Sequence, residues 1–170
     1  LRAGGQPGRA ARVVNVASNA PRRGRLHWDD LGLRQGYSAY SAYGQSKLAN
    51  ILFTAELARR LSAAGEPITA NSVHPGLVHT GFAANNAQLF WRFAYLFINR
   101  IGLTPAQGAD TLIYLAADPA VEGVSGRYFV KRRAVAPTAA AQDLAAARRL
   151  WEVSAQAVAL PANVSVSSKE

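Results

Sequence analysis

Apolar residues recur along the chain with two different periods. Arg12 to Val16 is a short β-branched run ending in the small residues Ala17 and Ser18, which predicts a buried strand over 12–17. Ile68 to Val73, closed by Pro75-Gly76, predicts a second strand, and Gly126 to Val130 a third. Elsewhere the period lengthens. Over 41–63, Leu48, Ile51, Leu52 and Ala55 fall at i, i+3, i+4 and i+7 and make one apolar stripe, which Gly65 and Pro67 stop. Over 86–101, Leu89, Phe90, Phe93, Leu96, Phe97 and Ile101 share a helical face. Thr104-Pro105 caps a helix that runs to about Ala117, with proline at its first position. A last amphipathic helix is predicted over 138–158, with Leu144, Ala147, Trp151 and Val158 inward. Gly4, Gly5, Pro7 and Gly8 mark 1–11 as a loop, 19–40 reads as a long polar connection, and 161–170 as a polar tail.

The order is strand, helix, strand, helices, strand, helix. Such alternation implies α/β architecture with parallel strands and right-handed crossovers. Three strands with their helices make half of a doubly wound sheet, in one unit over 1–160.

Composition narrows the class. Of 170 residues, 49% are hydrophobic and 17% charged, which excludes a disordered, collagen-like or coiled-coil chain. The greasiest stretch, 89–101, is broken by Arg92 and Arg100 and is too short to span a bilayer. With no cysteine there is no disulfide, thiolate zinc site or cysteine nucleophile. The net charge of +9 is dispersed in small groups such as Arg22/Arg23/Arg25, Arg59/Arg60, Lys131/Arg132/Arg133 and Arg148/Arg149. That pattern reads as a solvated surface rather than a nucleic-acid-binding face. Methionine is absent even at position 1, so the chain reads as the C-terminal part of a longer protein.

Three segments carry candidate chemistry. Tyr43 and Lys47 lie four apart at the start of a helix and so share one face. Tyrosine ionises near pH 10, but a neighbouring cation favours the phenolate, so the pair can move a proton to or from a hydroxyl or carbonyl. Ser18 ends a strand, and in open α/β sheets the carboxyl ends of strands face the ligand crevice. Its hydroxyl can donate to a substrate oxygen, although a serine there also serves as a plain turn residue. His74-Pro75-Gly76-Leu77-Val78-His79-Thr80 follows the second strand, and Pro and Gly make a sharp turn there. His74 and His79, flanked by turn residues, need no ligand. His27, Asp29 and Asp30 read as an exposed loop rather than a metal site, and Glu56 as a solvated residue near Arg59 and Arg60.

VVNVAS, YGQSK and NSVHPGLVHT, in that order, resemble the short-chain dehydrogenase/reductase family. YGQSKLANILFTAELARRL, SVHPGLVHTGF and AARRLWEVS resemble its retinol-dehydrogenase-like branch, and the resemblance runs from about Arg12 to Leu160. It implies the C-terminal half of a doubly wound Rossmann fold and hydride transfer between NADP or NAD and a lipophilic alcohol, aldehyde or ketone. It leans towards NADP. Ser18 would orient the substrate oxygen and Tyr43 would be the general acid/base. Lys47 would lower the Tyr43 pKa and hold the nicotinamide ribose. Pro75, Gly76, Val78 and Thr80 would hold the nicotinamide end. Dimerisation through the Tyr43 helix is implied; a cytoplasmic location and no nucleic-acid partner are the further expectations.

The sequence departs from the family upstream. The glycine-rich pyrophosphate loop is absent, since Gly4, Gly5 and Gly8 follow no strand and open no helix. The three strands would be the fifth, sixth and seventh of seven, leaving the fifth with an open edge. The chain is therefore expected to be inactive alone. A non-enzymatic remnant acting through protein contacts is the alternative. The helix over 86–101 reads as a substrate flap, a core-packed helix or a membrane-surface helix with Arg92 and Arg100 near lipid phosphates.

Overall fold

In a computed structural model the described residues are 1, 4–6, 8–19, 24–78 and 102–159. The predicted helix over 86–101, the residues His79 and Thr80, the group Arg22/Arg23 and the tail 161–170 lie outside them. The sheet has four strands in the order β1 (Ala11–Val16), β2 (Ile68–His74), β3 (Tyr128–Val130) and β4 (Arg133–Val135). β1, β2 and β3 are parallel, with Val16 opposite Val73 and Val73 opposite Phe129. β4 returns antiparallel to β3.

Strand alternation sorts the side chains between two layers. On one side, α1 (Ala39–Ala63) lays Leu48, Ile51 and Leu52 into a core shared with Tyr128, Ala141, Ala147 and Leu150. α3 (Leu144–Ala157) packs against α1 on that same core, and Trp151 stacks on Phe53 at 5.4 Å with Arg60 over the indole at 4.6 Å. On the other side, α2 (Pro105–Ala117) packs Leu115 against Val73, Phe129 and Val121. Arg12 ties β1 to the C-terminal end of α2. Its guanidinium donates to the carbonyls of Leu115 (3.2 Å) and Asp118 (2.9 Å) and pairs with Glu122 at 2.6 Å. A cation at that end also complements the helix dipole.

Local chemistry explains the boundaries. The expected Thr104 cap forms as a reciprocal box: Thr104 Oγ1 accepts from Gln107 N–H, and Gln107 Oε1 accepts from Thr104 N–H. α1 starts at Ala39, slightly before the predicted Ser41, because Ser38 is the N-cap. The predicted third strand shortens to Tyr128–Val130. Before it, Gly126 sits at φ +72°, and Arg127 N–H is taken by the Asn71 side chain instead of the ladder.

Four expectations need correction. The helix over 138–158 divides into a 3₁₀ turn at Ala139–Gln142 and α3, because Asp143 caps α3 by accepting from Ala145 and Ala146 N–H. Leu144 and Val158 are 59% and 66% exposed rather than inward; they flank the apolar face at the helix ends. Glu56 is only 2% exposed, not solvated: Arg59 and Arg60 fold over its carboxylate, each at 2.7 Å. Hydrogen bonding from Arg59 holds that carboxyl below its ordinary pKa. β1 is half-buried rather than buried, since among the described strands it pairs with β2 alone.

β4 was not predicted. Its hairpin turns on Lys131 and Arg132 at φ +49° and +61°, a two-residue turn that usually carries Asn-Gly. Arg132 is held by an ion pair with Asp110 and by N–H donation to Thr111 Oγ1 at 3.2 Å. Lys131→Asn should therefore raise stability by about 0.5 kcal/mol, because asparagine tolerates the left-handed region better. The check is the midpoint of urea unfolding; a lowered midpoint would contradict it.

Candidate active site

The parallel register brings the ends of β1, β2 and β3 to one edge. Ser18, buried two residues beyond β1, lines a cavity of about 470 Å³ with Ile51, His74, Tyr128, Val130 and Thr138. The Tyr128 hydroxyl donates to the Ser18 carbonyl at 3.1 Å, which holds that segment against β3.

α1 delivers the other pair. Lys47 Nζ lies 5.7 Å from the centre of the Tyr43 ring. It also donates to the Val16 carbonyl at 3.3 Å, and Asn50 Nδ2 donates to the same oxygen at 3.0 Å. The last carbonyl of β1 thus sets the lysine between Tyr43 and the segment leading to Ser18. Asn50 was not singled out in the sequence; its spacing of three from Lys47 was the available signal.

Pro75, Gly76 and Val78 form the turn after β2. Gly76 has φ +93°, and a side chain there would meet Leu103 Cδ1 at 2.6 Å. The turn is fastened to the approach of α2: Leu103 N–H donates to the Leu77 carbonyl at 2.7 Å. Val78 presses on Gly108, where a Cβ would lie 2.4 Å from Val78 Cγ2. Thr80, placed with these residues by sequence, is outside the described part.

Gln45, inside the YGQSK segment, anchors the long connection. Its Oε1 accepts from His27 N–H and its Nε2 donates to the Leu31 carbonyl, at 2.8 and 2.9 Å. Asp30 spends both carboxylate oxygens on the N–H groups of Arg34 and Gln35, which accounts for it as a turn former. Among the described residues no group of three or more His, Cys, Asp or Glu is placed to hold a metal. No described helix is long and apolar enough to cross a membrane.

His74 differs from its sequence reading. It closes β2, and its Nδ1 is buried without a hydrogen-bond partner. Burial pushes its pKa below the ordinary 6.5, favouring the neutral ring.

Comparison with known proteins fits this geometry. The short chain dehydrogenase family model matches residues 6–89. Human retinol dehydrogenase 14 is 42% identical over 158 residues, covering 88% of this chain and 45% of its own length. Mouse polyprenol dehydrogenase is 41% identical over 157 residues, with 89% and 45% covered. A crystal structure of an uncharacterized protein from Mycobacterium paratuberculosis superposes with a TM-score of 0.64 at 34% identity, over 86% of this chain and 50% of that one. The chain belongs to the short-chain dehydrogenase family and is similar to its retinol dehydrogenases. It spans about half the length of the curated relatives it matches.

Two outcomes follow from the site's construction. Gly76→Ala should lower the unfolding midpoint, since it adds strain at positive φ and a clash with Leu103; an unchanged midpoint would show that the turn yields freely. For His74, whose folded pKa is depressed, the unfolded chain takes up the proton first. Its contribution is full above about pH 6.5 and is lost as pH falls through the folded pKa. Denaturation at about pH 7.5 and about pH 5.5 should show a larger loss on acidification in the unaltered chain than in His74→Phe.

Proposed function

We propose that this chain carries the catalytic residues of an NAD(P)-dependent oxidoreductase acting on a lipophilic alcohol, aldehyde or ketone. The observation that carries the proposal is the placing of Lys47, which touches the Val16 carbonyl near Ser18 while its ammonium lies beside the Tyr43 ring. The residues fit the nicotinamide end of the cofactor: Lys47 is a donor suited to ribose hydroxyls. At Gly76 the backbone turns at positive φ at the end of β2. When bound, NADP or NAD supplies or accepts the hydride.

Ser18 donates a hydrogen bond to the substrate oxygen and holds it for reaction. In the reducing direction Tyr43 gives its phenolic proton to that oxygen as the carbonyl carbon gains the hydride; in oxidation it takes the proton back. Lys47 sets a positive charge beside the oxygen on which the phenolate charge develops. Pro75, Gly76, Val78 and Thr80 shape the nicotinamide end. The apolar cavity walls and the likeness to retinol and polyprenol dehydrogenases support a lipophilic substrate.

In an active protein carrying this chain, Tyr43→Phe should lower kcat by at least about 100-fold with little change in cofactor Kd. Turnover of a long-chain alcohol with NADP, beside a cofactor titration, checks this; near-normal turnover would sink the assignment of Tyr43.

A further inference from the structure

Asn50 has no part in the chemistry proposed above, yet it shares an acceptor with Lys47. Ala17 N–H donates to the Val73 carbonyl at 2.8 Å, so by the alternation of a parallel pair the Val16 carbonyl faces away from β2, where no described strand meets it. Lys47 Nζ and Asn50 Nδ2 take that oxygen instead, at 3.3 and 3.0 Å. A carbonyl oxygen has two lone pairs, and the two side chains fill them. Val16 is 39% exposed, so water is the partner that would otherwise compete for the oxygen.

The two donors are unequal as fasteners. The Lys47 ammonium sits on a flexible four-carbon stem and can follow the oxygen through many rotamers. Asn50 reaches it with a short side chain, so its amide fixes how far this turn of α1 stands from the end of β1. A second short link lies one turn further on. Asn15 Nδ2 donates to Thr54 Oγ1 at 2.9 Å, with Thr54 only 1% exposed, and Thr54 Oγ1 donates to the Asn50 carbonyl at 2.6 Å. Consecutive residues of β1 are thus bound to consecutive turns of α1, and Asn50 belongs to both links. Tyr43, Lys47 and Asn50 fall at i, i+4 and i+7, on one helical face.

We infer that Asn50 is a positioning residue for the proton-transfer pair. Its amide fastens the face of α1 that carries Tyr43 and Lys47 to the last carbonyl of β1, two residues before Ser18, and keeps water from the oxygen that holds the ammonium. Asn50 acts through Lys47 and needs no contact with substrate or cofactor. The inference rests on the proposed function for the use made of Lys47, not for its placing.

Competitive acetylation of the chain tests the placing without turnover. Trace acetic anhydride labels each amine according to how freely it meets solvent, and mass spectrometry reads the sites. The lysines are Lys47, Lys131 and Lys169, and the exposed Lys131 serves as internal standard. In Asn50→Leu the ratio of Lys47 to Lys131 labelling should rise at least about threefold. Asn50→Ala, which adds no bulk, should give the same rise and decides the matter if the leucine variant does not fold. Leu115→Ala weakens the core on the other side of the sheet and should leave the ratio unchanged. In an active protein carrying this chain, Asn50→Ala should lower kcat for a long-chain alcohol at least about tenfold, with the alcohol KM within about twofold. An unchanged ratio in folded Asn50→Ala, an equal rise in Leu115→Ala, or an unchanged kcat would each overturn the positioning role. Normal turnover in Tyr43→Phe with the labelling result intact would instead sink the catalytic reading alone.

Discussion

The parallel register of β1 on β2 is the constraint on which the site depends. With Val16 opposite Val73, the segment leaving β1 and the turn leaving β2 emerge at the same edge of the sheet. A slip of one residue would turn Asn15 away from Thr54 and Arg12 away from α2, reversing every side chain of β1. The carbonyl of Val16 then does what the next rung of the ladder would otherwise do. It accepts from Lys47 and Asn50 and so couples strand register to the rotation of α1 about its axis. Tyr43, one turn before Lys47, is oriented by that same coupling.

Polar side chains inside the α/β layers do most of the positioning. Asn15 donates to Thr54 Oγ1, and Thr54 passes a hydrogen bond to the Asn50 carbonyl at 2.6 Å. Asn71 closes the approach to β3 by accepting from Arg127 N–H and donating to the Val124 carbonyl. Gln45 does the same for the long connection before α1. Asn71 and Gln45 satisfy backbone groups that no strand or helix reaches, so irregular segments can pack closely against the core without orphaned donors.

Much of this was legible in the sequence because local signals and tertiary needs agree. The stripe of Leu48, Ile51 and Leu52, the Thr104-Pro105 cap and the β-branched run of β1 each state in short range what the sheet requires at long range. The family motifs also singled out Ser18, Tyr43, Lys47 and the Pro75–Val78 turn, whose roles are the ones proposed above. What could not be read depended on partners distant in the chain. The β3–β4 turn lacks the usual Asn-Gly because Arg132 is secured by Asp110 and Thr111 of α2. Glu56 is a different case: its arginines, three and four residues on, are legible as neighbours, but its burial beneath them is not. His74 looks like one more turn residue, since only the assembled fold shows that its Nδ1 is buried without a partner.

The contact between Val78 and Gly108 has a consequence for how this protein can vary. Glycine within a helix costs roughly 1 kcal/mol relative to alanine, so on helix propensity alone Gly108 would drift readily to a better helix former. The valine methyls occupy the space where a Cβ would go. Position 108 is thus free to change only once position 78 is trimmed, whereas Gly76 is held both by Leu103 and by its own positive φ. Each glycine and the side chain packed on it thus constrain one another, Gly108 with Val78 and Gly76 with Leu103.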